Sequence, residues 1–481
     1  MTDRTPLSTP LPSSFRDPAG RVYRNNNRIL REVNAYGLAC LNAALHSKAV
    51  HAEIERGRFV RTELIAPNGA PALALGQDST VVEHEAIPFP SFPYEWPPEM
   101  LYAAGALILD LALALAGENL GLKDATPFNV LYRGAQPVFV DVLSVEPRDP
   151  HDPLWLARAQ FIRTILLPLA AERDFGIPLA QSLLLREGIE PESFYRLLAP
   201  MARFSPKYLS LVSMPVWMGG RRKGDSRSLY QPRKLDDPDK TAFVYRGGLR
   251  SLQKALARFA PSTRRSRWTD YMGADCSYNS AQFAEKERFV SEVLRDHSAA
   301  TPKARVLDVG ANTGHFSALA AKAGASVIAI DGDSAVAGEI WRRAQAEKLD
   351  ILPLVVNLAQ PTPATGWRNH ECSSFLERAC GAPFDLVMML AVIHHMLATE
   401  RVPLAEILNL AADLTRDLAL IEFVEFEDPM FRALSRGRDE LYQHFHADLF
   451  ERESAARFET VRKLAIPGGK RTLYLLRKRA V

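Results

Sequence analysis

Apolar positions along the chain change their spacing several times, and each change predicts a different kind of structure. Between residues 101 and 117 they run nearly unbroken, LYAAGALILDLALALAG, with Asp110 as the only charge. That run is shorter than the roughly 20 residues a membrane helix needs, and a carboxylate at mid-span is costly in lipid. A buried helix of a soluble domain, with no membrane span, is expected. The segment NVLYRGAQPVFVDV places two β-branched and aromatic runs around a glycine, which predicts a hairpin. From about 153 to 215, LWLARAQFIRTILLPLAAE and its continuation repeat apolar residues every three or four positions, the spacing of helices. Beyond residue 270 the runs ARVLDVG, ASVIAID, ILPLVVN, FDLVMML, LALIEFV and RTLYLLRK alternate with helical segments. Strands interleaved with helices imply a mostly parallel sheet covered on both faces, an α/β fold.

Breakers divide these regimes. The prolines of IPFPSFPYEWPPEM exclude a helix and predict an extended connector, while GGRRKGDSRSLYQPRKLDDPDK and PSTRRSRWTD are rich in Gly, Pro, Ser and charge. At 481 residues the chain is long enough for two or three cores. The expected organisation is a disordered N-terminus over 1–20, an α+β accessory domain over 21–218, a linker over 219–270 and an α/β domain over 271–481. No repeat of fixed period interrupts it.

Composition narrows the partners. With 59 basic against 56 acidic residues the net charge is +3, too even to require nucleic acid. The basic runs at Arg221 to Lys223, Arg264 to Arg267 and Arg477 to Arg479 lack the interleaved aromatics that stacking on bases demands. Cys40, Cys276, Cys372 and Cys380 form no Cys-x-x-Cys pair, which argues against a disulfide framework and a zinc knuckle. With a polar, Pro/Ser-rich start in place of a signal peptide, a cytoplasmic protein with reduced thiols is expected.

The segment VLDVGANTGHFSALAAKAGASVIAIDGD carries the most chemistry. A buried strand ends in Asp308, a tight turn follows through Gly310, Asn312 and Gly314, and a helix begins at once. Such a turn brings backbone close to a ligand. A second strand ends in Asp331, about 20 residues after the first turn glycine, where a carboxylate meets a ribose in folds of this kind. Dinucleotide binding prefers G-x-G-x-x-G, whereas here Asn312 and His315 hold the second and third glycine positions.

The segment resembles motif I and the following acidic strand end of class I S-adenosylmethionine-dependent methyltransferases, with Asn312 in place of the middle glycine. That resemblance implies a Rossmann-like sheet with S-adenosyl-L-methionine as cofactor. It would put Asp308, Gly310 and Gly314 around the methionyl part and Asp331 on the ribose, with Asn312 also in the cofactor-binding turn. Asn357, ending VVN, stands where the family usually has an Asp near the adenine. FDLVMMLAVIHHM resembles the fourth-strand motif, and RTLYLLRKR the last, antiparallel strand. Over most of the chain LKDATPFNV, FVDVLSVEPRDP, GANTGHFS, GWRN, IHHM, IEFVEFEDPM and RTLYL resemble a bacterial two-part methyltransferase group that includes nodulation-related proteins.

In the N-terminal half, LGLKDATPFNVLYRGAQPVFVDV orders Asp124, Asn129 and Asp141. This order resembles the catalytic loop and metal-binding strand of kinase-like phosphotransferases, where the first Asp receives a proton and Asn with the second Asp holds magnesium. Leu122 replaces the usual His, Val142 and Leu143 follow Asp141 in place of Phe-Gly, and no Gly-rich loop or strand lysine precedes residue 90. A degenerate kinase-like domain that recognises substrate or partner is expected. The alternatives are a bifunctional kinase and methyltransferase with a Mg-ATP site at Asp124, Asn129 and Asp141, and an unrelated helical domain that carries this order by chance.

Methyl transfer needs alignment and a dry site more than covalent help. The expected acceptor is a small molecule or glycan. For a hydroxyl acceptor the candidate bases are His394 and His395, at the carboxyl end of the fourth strand, and then Glu422. The structural alternative has one histidine capping the strand and the other packed inside. A further alternative is a binding module that keeps the cofactor but is inactive. No metal is expected in the methyltransferase half.

Overall fold

The computed structural model describes residues 10–26, 28–65, 79–219, 234–262 and 278–480. It divides into two compact units, Met1–Ser262 with Ala364–Cys372, and Thr263–Pro363 with Ser373–Val481.

The first unit opens with strands β1 (Gly20–Asn25), β2 (Arg28–Val33), β3 (Thr62–Leu64) and β4 (Thr80–His84), in the order β1-β2-β4-β3. All pairs are antiparallel. Helices Leu38–His46 and Lys48–Glu55 intervene between β2 and β3, and the Ser47 side chain caps the second by accepting from the Val50 N–H. The proline-rich connector is extended only in part, a correction to the expectation: Pro93–Glu95 form a helical turn and Pro98–Met100 already belong to the next helix, with the rings of Tyr94 and Trp96 buried. It feeds the apolar helix Pro98–Leu115, whose first residue is a proline with no helical N–H to lose. Asp110 sits on its exposed stripe, accepting from Gln253 Nε2 at 3.0 Å. Among the described residues this is the one helix long and apolar enough to cross a membrane, and 61% of its apolar window is buried. Two small ladders follow: β5 (Leu120–Leu122) pairs with β8 (Val145–Pro147), and β6 (Val130–Arg133) with β7 (Gln136–Phe139), the expected hairpin.

Two expected boundaries are corrected. Of the N-terminus, residues 1–9 lie outside the described residues, but 10–20 are ordered. Pro12–Ser14 form a helical turn, Leu11 donates to Val22 O, and Ala19 is buried. Within the expected linker, where 220–233 and 263–270 also lie outside the described residues, Pro238–Arg258 is a 21-residue helix. Tyr245, Leu249, Leu252 and Leu256 bury one face, and the Asp237 side chain caps it. The clustered charges and breakers flank this helix and do not interrupt it.

The second unit is a seven-stranded sheet in the order β11-β10-β9-β12-β13-β15-β14. Its strands are β9 (Arg305–Val309), β10 (Ser326–Asp331), β11 (Ile351–Val355), β12 (Phe384–Met389), β13 (Thr415–Val424), β14 (Phe458–Ala465) and β15 (Arg471–Lys478). The first five are parallel and β15 is antiparallel to both neighbours. Every residue of β12 is buried, as a strand covered on both faces requires. Strand order reverses at β9, so its carboxyl end opens on the crevice where ligands bind in such sheets.

Candidate functional site

Three left-handed residues build the turn after β9: Gly310 (φ +68°), Asn312 (φ +48°) and Gly314 (φ +75°). Asn reaches this region more readily than other side chains, which lets position 312 dispense with glycine. At Gly310 an added Cβ would lie 2.9 Å from Val392 Cγ2, so the turn packs directly against the segment leading into His394 and His395. Asp331, ending β10, accepts from the Asn312 N–H on Oδ2 (3.0 Å) and from the Asp333 N–H on Oδ1 (2.9 Å). Burial raises its pKa, and these backbone donors oppose the rise. Each oxygen keeps a second lone pair, enough for two vicinal hydroxyls. Asn357 is exposed just past β11 and accepts from the Ala359 N–H.

Asp308 lies behind the turn. It is 2% exposed, accepts the Ser317 hydroxyl at 2.5 Å, and has its pKa pushed up to about 6 by burial. The side chain anchors the turn to the following helix.

His394 is fully buried, and among the described residues neither ring nitrogen has a hydrogen-bond partner. Burial holds its pKa well below the usual imidazole range, with further lowering from His395, Arg471 and Lys286, so the ring is neutral. The half-buried His395 ring lies 4.3 Å from it, centroid to centroid. Glu422 on β13 is enclosed by Lys286 Nζ (2.6 Å), Arg471 Nη1 (3.5 Å) and the Tyr278 hydroxyl. Burial alone would raise its pKa, but the two cations bring it below the ordinary value. Of the three candidate bases Glu422 is the one enclosed by cations, which weakens a carboxylate as a proton acceptor.

The first unit holds a second cluster. Asn129 Nδ2 donates to Asp141 Oδ2 at 3.4 Å, and Arg31 Nη1 donates to Asp141 Oδ1 at 3.1 Å. Arg31 also pairs with Asp17, and these carboxylates keep it charged against the cost of its burial. Asp124 is half-buried, and its pKa is raised by burial and by the charge of Asp141.

Residues 249–465 match the family model described as Methyltransferase domain. The chain is 30% identical over 475 residues to nodulation protein NoeA of Rhizobium meliloti (strain 1021), covering 96% of this chain and 94% of that protein. The chain belongs to the NoeA family. With the sheet order above, its C-terminal unit is a class I methyltransferase fold whose cofactor is S-adenosyl-L-methionine. Two solved structures are also similar. Magnesium protoporphyrin IX methyltransferase of Synechocystis PCC 6803 is 18% identical over 44% of this chain and 97% of that one, with a TM-score of 0.32. The bifunctional kinase-methyltransferase WbdD is 19% identical over 43% and 41%, with a TM-score of 0.29. Scores this low carry no structural argument.

Sequence reasoning missed Arg31, Lys286, Arg471 and Tyr278. Arg31 is an arginine where the kinase pattern has a lysine, and of the two arginines in RILREV it is the buried one. The other three lie far from Glu422 along the chain, and no local spacing marks them.

Proposed function

We propose that the C-terminal unit transfers a methyl group from S-adenosyl-L-methionine to a small-molecule or glycan acceptor, while the N-terminal unit recognises substrate or partner. The observation that supports this most directly is Asp331, held by two backbone N–H groups beside a turn of three left-handed residues at the point where strand order reverses. The cofactor, when bound, supplies an electrophilic methyl group on a sulfonium.

In this reading Asp331 accepts both ribose hydroxyls, Gly310 and Asn312 let the backbone approach the methionyl part, and Asn357 meets the adenine edge. His395 takes the proton of a hydroxyl acceptor. The buried, neutral His394 backs its ring, so protonating His395 does not set two imidazolium charges face to face. The test is a thermal-shift titration with S-adenosylhomocysteine. A ligand at 100 times its dissociation constant stabilises the folded unit by about 2.7 kcal/mol. That response should vanish in Asp331→Ala; its absence in the folded native protein overturns the reading.

A second reading, a bifunctional kinase and methyltransferase, gains support from Arg31. An arginine beside Asp141 offers a strand cation in a region that has no strand lysine before residue 90. In this reading Asn129 and Asp141 hold magnesium and Asp124, whose raised pKa suits a base, receives the acceptor proton. Stabilisation by Mg-ATP that is lost in Asp141→Asn supports it, and no response to Mg-ATP rejects it.

A further inference from the structure

The segment Ala364–Cys372 is flanked on both sides by the second unit yet belongs to the first. Thr365 and Cys372 exchange backbone hydrogen bonds (2.9 and 3.2 Å) and close the loop that carries Gly366 to Glu371. Gly366 turns the chain at φ +84°, and a Cβ there would lie 2.5 Å from Glu371 Cβ. Arg368 and Asn369 follow in the left-handed region, at φ +54° and +58°. Glycine adopts such an angle freely, but a residue such as Arg368 is held there only where its surroundings impose it, so the segment is set to relax if its hold is lost.

That hold is Glu371. Its side chain is 3% exposed and takes two cations, Arg16 Nε at 2.7 Å and Arg186 Nη1. Both arms lead to the same place. The Arg186 guanidinium covers the Phe128 ring at 4.9 Å, and Phe128 is the neighbour of Asn129. Arg16 is the neighbour of Asp17, which pairs with Arg31, which pairs with Asp141. Asn129 and Asp141 then meet at 3.4 Å. Breaking the Glu371 contacts would strip the partner from two arginines at once and loosen both supports of the Asp124 to Asp141 loop.

The root of the segment lies at the other site. Val356, one residue before Asn357, donates its backbone N–H to Asp331 O at 2.8 Å, and Ala364 follows seven residues after Asn357. A ligand that orders Asp331 and Asn357 orders the base of this strap.

We propose that Ala364–Cys372 is a coupling strap, with Glu371 as its clasp, through which occupancy of the cofactor site alters the order of the Asp124 to Asp141 loop. By linkage, whatever the N-terminal cluster binds changes cofactor affinity by the same factor. The proposal rests on the reading of Asp331 and Asn357 as the cofactor site.

The experiment is hydrogen exchange on the full chain with and without S-adenosylhomocysteine. Protection at 310–314 reports cofactor binding. Exchange at 14–19 and 123–129 should then slow by about five-fold or more, the low end of typical coupling. In Glu371→Gln the ligand should still protect 310–314, and the remote effect should disappear. Arg186→Ala, which leaves Glu371 paired with Arg16, should weaken the effect at 123–129 and keep it at 14–19. Protection at 310–314 with unchanged exchange at both remote segments of the native protein overturns the coupling. No protection at 310–314 overturns the cofactor reading itself, and the coupling falls with it.

Discussion

Arg31 Nη1 lies 3.1 Å from Asp141 Oδ1, which joins the second strand of the chain to a carboxylate 110 residues away. The guanidinium side chain is 9% exposed and also holds Asp17. Arg31→Met removes the cation that the two carboxylates share. Breaking a buried pair costs about 3–5 kcal/mol. Because Asp17 and Asp141 are 20% and 22% exposed, solvent should reduce the loss to about 2 kcal/mol, measured by urea denaturation of the N-terminal transition.

Glu422 should behave as a structural ion. Glu422→Gln leaves Lys286, 5% exposed, buried with an uncompensated charge, while Arg471 keeps its two-point pair with Asp428. A stability loss of about 3–5 kcal/mol in the C-terminal unit is expected. A variant that melts like the native protein, yet loses methyl transfer, would return Glu422 to the catalytic role.

His395→Ala should lower the methyl-transfer rate to a hydroxyl acceptor by about 100-fold with cofactor affinity unchanged, as loss of a general base does. A single-turnover assay reads this directly. A rate equal to that of the native protein excludes His395 as the base.

Asp308 makes stability depend on pH. Its folded pKa of about 6 exceeds the ordinary 3.8, so between these values the native state binds more protons than the unfolded chain. Stability from this group is therefore present below about pH 4 and is lost as pH rises to about 6. Asp308→Asn, which can still accept the Ser317 hydroxyl, removes that penalty. Above pH 6 the variant's C-terminal unit should be more stable by about 3 kcal/mol, converting the shift at 1.36 kcal/mol per pH unit, and the gain should vanish near pH 4. Melting curves at pH 4 and pH 7 check both the sign and the window.

The methyltransferase half was legible because its signals are local. A left-handed turn needs glycine or asparagine at the turn itself, so Gly310, Asn312 and Gly314 announce it in five consecutive positions. A doubly covered strand reads as an unbroken apolar run, so β12 shows in FDLVMM, and a polar residue ending such a run, as Asp331 does, stands at the mouth of the sheet. The hairpin β6–β7 was equally plain from its glycine. The helix Pro238–Arg258 was hidden by charged, breaker-rich flanks, although Leu249, Leu252 and Leu256 carry its period.

What the sequence by itself determined is thus the alternation of strands and helices in the C-terminal unit, the left-handed turn after β9 and the place of Asp331 and Asn357 at strand ends, because backbone preference and burial act over a few neighbouring residues. Only the tertiary structure decided which charges meet. Arg31 finds Asp141 across 110 residues, Lys286 finds Glu422 across 136, and Arg16 finds Glu371 across 355. An ion pair depends on distance in space and on exclusion of water, and neither leaves a periodic mark along the chain.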